Sequence, residues 1–139
     1  SGSNPLGING NMMAKSAKGA FEKYRKYVPP ELALAQLRIE GGIGNSNINA
    51  MPIRTKNPFN VNNNDYGKTV TYLNVQEGIN AYYNLIAKKY LGGGKSPSDL
   101  SRSFTNTSGN RYGGKNYESV LNKIIQQVNR IARSVTLTK

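Results

Sequence analysis

The 139-residue sequence contains no cysteine and no histidine. Those two absences exclude disulfides, Cys-rich zinc sites, and Ser-His or Cys-His nucleophilic triads together. Acidic residues are scarce as well: seven Asp and Glu stand against nineteen Lys and Arg, for a net charge of +12. So few carboxylates argue against a carboxylate-only metal cluster, and neither a metal nor a cofactor is expected. No apolar run approaches the roughly eighteen residues that a membrane span needs. The chain opens without an apolar signal-peptide core, and Ser1-Gly2-Ser3 reads as a remnant of cloning. Chemistry is therefore left to carboxylates, Tyr, Lys, Ser and backbone groups. The lack of cysteine suits an extracellular or virion setting.

What is present is a strongly basic chain of one-domain size. Its charge favours polyanionic partners, among them nucleic acid, anionic lipid and the anionic polymers of a cell wall. Residues 1–13 are Gly- and Asn-rich and read as a flexible lead-in, leaving 14–139 as the domain. Ala17, Phe21, Tyr24 and Val28 recur at helical spacing over 14–28, until Pro29-Pro30 breaks the pattern. A second helix is predicted over 30–40, started by Pro30 and stopped by Gly41-Gly42. Residues 41–57 read as an irregular loop.

Phe59-Asn60-Val61 and Thr69-Val70-Thr71-Tyr72 alternate apolar and polar residues around Asn63-Asn64-Asp65-Tyr66-Gly67, the pattern of a short hairpin. Asn74 with Glu77 has the spacing of a capping box. The stripe Val75, Ile79, Tyr82, Tyr83, Ile86 and Tyr90 follows, closed by Gly92-Gly93-Gly94. Ser96-Pro97-Ser98-Asp99 starts a shorter helix, and Tyr117 to Ile131 carries the longest apolar periodicity. The expected fold class is mainly α, or α+β, with one small β-hairpin.

Seven acids are few enough to weigh singly. Glu22 precedes Lys26 by four residues, the spacing of a routine ion pair. Glu31 and Glu118 fall in first helical turns, and Glu77 and Asp99 in capping positions, where negative charge is structurally favoured. Asp65 sits in a turn that suits Asp for local hydrogen bonding alone. Glu40 differs. It stands at a helix C-terminus, where the dipole disfavours a carboxylate, on a face shared with Ala33, Gln36 and Leu37. An acid pressed against such neighbours holds its proton to higher pH, as a general acid must. The competing reading is an ion pair with a nearby Lys or Arg.

The segment Ala35-Gln36-Leu37-Arg38-Ile39-Glu40-Gly41-Gly42-Ile43-Gly44-Asn45-Ser46 resembles the catalytic motif of bacterial and phage N-acetylglucosaminidases. That family, which includes mannosyl-glycoprotein endo-β-N-acetylglucosaminidase-like domains, belongs to the lysozyme-like superfamily. Its pattern is Glu-Ser-Gly-Trp-Gly-x-Ser after an Ala-rich helix. Glu40, Gly42, Gly44 and Ser46 match, while Gly41 replaces the Ser and Ile43 the aromatic residue. Three further blocks follow in the family's order: Asn57-Pro58-Phe59-Asn60-Val61, the stretch from Tyr72 to Ile86 with Glu77, Ile79 and Tyr83, and Tyr112 with Tyr117 before the Ile-rich helix. The blocks span roughly residues 30–132.

The resemblance implies a lysozyme-like helical domain with a glycan groove, acting on peptidoglycan strands at the cell wall or from a phage virion. Glu40 would protonate the glycosidic oxygen as the sugar leaves with oxocarbenium character. Asp65 would activate water or steady the cation, and Tyr112 would position substrate at the catalytic centre or, equally, pack in the core beside the last helix. Ser46, Phe59 and Asn60 would line the groove, with Tyr66 and Tyr72 stacking on sugar faces or serving in strand packing. The family's closing Asp is absent beside Tyr112, where Gly113-Gly114-Lys115 stands instead. A lytic transglycosylase relying on Glu40 alone is therefore an alternative, since the sugar's own 6-hydroxyl attacks in that chemistry. A non-catalytic wall-binding or virion structural protein is another. A basic nucleic-acid-binding module competes on charge, but Lys and Arg are spread along the chain without forming a single stripe.

Overall fold

The computed structural model describes residues 3–62 and 69–138, with side chains as far as Ala132. Six α-helices account for most of it: α1 (Gly10–Tyr24), α2 (Pro30–Glu40), α3 (Met51–Arg54), α4 (Val75–Leu85), α5 (Pro97–Arg102) and α6 (Tyr117–Thr138). The fold is mainly α. α1 packs along α4, and α2 and α5 pack on α6.

Local chemistry sets the helix limits. Asn9 caps α1 by accepting from the Met12 N–H at 3.0 Å, so the helix starts four residues before the expected Ala14. Ahead of it, Asn4 bonds the Ile8 backbone in both directions and Ile8 is buried; this lead-in is packed against the domain. α1 also ends early, at Tyr24, where Arg25 turns left-handed with φ 56°. Pro29 disfavours helical backbone at Val28, and Val28 is instead buried in the segment that joins α1 to α2. Lys26 thus lies beyond the helix, and the expected Glu22–Lys26 pair does not form; the ion pairs among the described residues are Arg102–Asp99 and Arg111–Glu118.

α2 runs over the expected residues. Gly41 takes φ 87°, and the Gly42 N–H donates to the Leu37 carbonyl at 3.0 Å, closing the helix directly after Glu40. Pro52 at the first turn starts the short α3 inside the stretch read as irregular. Beyond Leu85, α4 widens into a π-helical turn over Ile86–Tyr90, closed by the Leu91 N–H donating to the Ile86 carbonyl at 2.8 Å.

The hairpin arms are a correction. Neither residues 59–62 nor residues 69–72 are strand, and the described residues contain no sheet, only an isolated bridge between Thr105 and Arg111. The buried Asn57 is the reason. Its side chain accepts from the Val61 N–H at 2.9 Å and donates to the Val61 carbonyl at 2.9 Å and the Val70 carbonyl at 3.3 Å. Groups that a strand ladder would use are already committed to one amide. The expected tip, with Asp65 and Tyr66, lies outside the described residues.

Candidate active site

Glu40 is the last residue of α2, half-buried, with its position fixed by the glycine stop after it. Burial raises its carboxyl from the ordinary 4.5 to about 7. The C-terminal end of the helix dipole acts in the same direction. Neither ion pair among the described residues involves Glu40, which removes the competing reading of a paired structural carboxylate.

Three tyrosines lie within electrostatic reach of that carboxyl: Tyr82, Tyr112 and Tyr117. Each has its phenol raised above the ordinary value, chiefly by burial, with Glu40 adding to the shift and the Gln36 hydrogen bond partly opposing it at Tyr117. All three are neutral hydroxyls at any physiological pH, able to donate as well as accept hydrogen bonds. Two of them are joined by Gln36, one turn before Glu40. The Gln36 Nε2 donates to the Tyr117 Oη at 3.0 Å, and its Oε1 accepts from the Tyr82 hydroxyl. Gln36 is fully buried in a helix otherwise built of Ala and Leu at its inward positions.

Tyr112 is held from the other side. Its ring packs with Tyr90 at 5.5 Å, Phe104 at 5.2 Å and Tyr117 at 5.4 Å between centroids. Its N–H donates to the Phe104 carbonyl at 2.8 Å. Glu118 clamps the same loop, accepting from the Phe104 N–H at 2.7 Å and from Arg111 at 2.7 Å. Those bonds, led by Arg111, depress the Glu118 carboxyl to about 2. Two carboxyls near the tyrosine cluster are thereby driven apart, one kept protonated and one kept ionised.

Of the residues expected to act, Glu40 and Tyr112 are brought together. Asp65 and Tyr66 lie outside the described residues. Phe59 is a correction: it is fully buried and stacked on Tyr82, with ring centroids 3.7 Å apart, so it belongs to the core and has no face left for a sugar. Asn60 is half-buried in a left-handed turn with φ 55°, its N–H donating to the Asn57 carbonyl at 2.9 Å. Tyr72 is half-buried, with its N–H on the Thr55 carbonyl at 2.9 Å and its hydroxyl bonded to the Asn62 side chain. Ser46 is exposed in the loop after α2.

Gln36, Tyr82 and Tyr117 are the site residues that sequence reasoning missed. The available signal was Gln36 itself, an amide four residues before Glu40 and therefore on the same helix face. Gly42 is explained by packing. A Cβ there would collide with the Pro58 carbonyl oxygen and with the Leu37 side chain, so the residue after the helix stop has to be this small.

The described residues contain no cluster of three potential metal ligands, and none of their helices is long and apolar enough to cross a membrane. No protein-family model, curated protein or solved structure matches the chain.

Proposed function

We propose that the chain is a glycosidase of bacterial peptidoglycan that cleaves β-1,4 bonds of the glycan strand, most closely an N-acetylglucosaminidase on a lysozyme-like helical domain. The observation that carries this reading is the state of Glu40: a half-buried carboxyl, without an ion-pair partner among the described residues, raised to about 7 beside three neutral tyrosines. A carboxyl that keeps its proton near neutral pH donates it to the glycosidic oxygen as the C1–O bond breaks. Electron density leaves with the oxygen, and the sugar ring carries the positive charge. Tyr112, within electrostatic reach of the same carboxyl, orients the reacting sugar through its hydroxyl. Asp65 is the hydrolase's second acid in this reading, activating the water that adds to C1.

A lytic transglycosylase is the second reading, and one observation favours it. Glu118, the other acid that reaches Tyr117, is committed to Arg111 and the Phe104 N–H. If Asp65 does not take part, the sugar's own 6-hydroxyl closes on C1, its proton passing to the carboxylate that Glu40 has become, and the single acid suffices. The charge of +12 supports a setting rich in anionic wall polymers, whether the protein works at the cell wall or from a virion.

The test is mass spectrometry of soluble products from purified peptidoglycan incubated with the protein and with Glu40→Gln. Reducing-end products from the parent alone support a hydrolase, and their terminal sugar names the bond. Anhydro-ended products assign the transglycosylase. No products across several wall types and pH values would overturn both, leaving a wall-binding or virion structural role.

A further inference from the structure

A large cavity lies away from Glu40. It opens between α1, the lead-in and α2, with a volume of about 890 Å³, within the range of roughly 300–1,000 Å³ typical of ligand pockets. Its walls are apolar, with Ile8, Met13, Ala17, Val28, Leu34 and Ile43 among them. The charged groups that line it are Lys18 and Arg38, and no acid does. Phe21 and Tyr27 stand on the same wall, 41% and 59% exposed, and the Arg25 guanidinium lies 5.8 Å from the Phe21 ring centroid. Lys15 and Lys23 line a separate hollow on α1 together with Glu22, so the cations of this face are Lys18, Arg25 and Arg38.

Two chemistries are layered on this face, and each excludes a class of occupant. A soluble polyanion would satisfy the cations but leave an apolar groove and two aromatic rings in water. A neutral apolar partner would fill the groove and gain nothing from the cations. An anionic lipid surface supplies both in the right order: phosphate at the level of the Lys and Arg heads, hydrocarbon beneath. Amphipathic aromatic rings favour the boundary between the two. We propose that this face docks the protein on an anionic phospholipid bilayer. Phe21 and Tyr27 seat at headgroup level, an acyl chain enters the groove, and Lys18 and Arg38 contact the headgroup phosphate.

The experiment is co-sedimentation of the full chain with vesicles of phosphatidylcholine, with and without phosphatidylglycerol. Binding is expected only to the phosphatidylglycerol vesicles, and F21S/Y27S, which keeps every cation, should weaken it roughly tenfold or more. Both side chains are exposed, so circular dichroism should be unchanged. Because the chain has no tryptophan, F21W gives a single indole reporter, which brominated acyl chains should quench. Binding that follows salt alone and ignores F21S/Y27S would overturn the proposal, as would an unquenched F21W or no vesicle binding. A halved solution mass for F21S/Y27S, with vesicle binding unaffected, would instead assign the face to a second copy. None of these readouts depends on glycan cleavage.

Discussion

The Gln36 side-chain nitrogen lies 3.0 Å from the Tyr117 hydroxyl oxygen, across 81 residues of sequence. Because Gln36 also accepts the Tyr82 hydroxyl, one buried amide ties α2 to both α4 and α6 directly beneath Glu40. Replacing it with Leu preserves much of the volume but strands two hydroxyls away from water. The expected cost is about 2–3 kcal/mol in chemical denaturation. Tyr82→Phe in the Gln36→Leu background should recover part of that loss, since removing both partners of a buried bond costs less than removing one. Strict additivity of the two substitutions would show that the bond carries no coupling.

Glu40 makes stability fall with rising pH. Its folded value of about 7 lies above the ordinary 4.5, so between those values the native state holds a proton that the unfolded chain has released. Stability attributable to this group is full below pH 4.5 and is lost as pH rises through 7, by roughly 3 kcal/mol in all. Glu40→Gln should abolish that slope and leave the variant the more stable form at pH 8. Parallel pH profiles for parent and variant, from urea unfolding, would mean that the carboxyl titrates normally.

In the proposed mechanism the same proton sets activity. If Glu40 is the acid, turnover of peptidoglycan falls on the alkaline side with an apparent pKa of about 7. Glu40→Gln should retain less than about one hundredth of parent turnover, by the usual weight of general acid catalysis. Its binding to insoluble peptidoglycan should be unchanged, which separates lost chemistry from lost folding.

Much of this arrangement could be read along the chain, but only where its cause is local. Pro30 and Gly41-Gly42 bound α2 because fixed φ at one end and left-handed backbone at the other act within a turn of helix. Glu40 stood out because the chain has so few acids, each of the others with a local role to account for it. The resemblance sets Phe59 in a groove, and neither it nor alternation over three residues reveals that Asn57 folds the segment into a turn and drives the ring onto Tyr82. The Gln36–Tyr82–Tyr117 network was invisible for a different reason. Each tyrosine read correctly as a core position of its helix, but hydroxyl partners depend on how α2, α4 and α6 meet.

Gly42 offers a test of the packing behind the site. Its position allows no side chain, because a Cβ would enter the space of the Pro58 carbonyl oxygen, and backbone yields less easily than a flexible side chain. Gly42→Ala should cost about 3 kcal/mol or more and displace the end of α2, lowering activity along with stability. Gly114, where an added Cβ meets nothing within 4 Å, is the control, and Gly114→Ala should change stability by less than about 0.5 kcal/mol. Equal effects at the two positions would remove close packing as the reason for Gly42.

Glu118 should act on the opposite side of the pH profile. Its carboxylate joins the Phe104 N–H to Arg111 and so closes the loop that carries Tyr112. The folded value of about 2 lies below the ordinary 4.5, so its contribution is present above pH 4.5 and is lost as pH falls through 2. Arg111 is partly exposed, and solvent screening limits the effect to about 1 kcal/mol. Glu118→Gln should therefore be less stable than the parent at pH 7 by about that amount, with the gap closing toward pH 2. Its activity should drop through Tyr112 while the alkaline pKa near 7 stays in place, because Glu40 is untouched. A shift of that alkaline limb in Glu118→Gln would mean that the two carboxyls titrate as one system, and that Glu118 contributes to the reaction and not only to the loop.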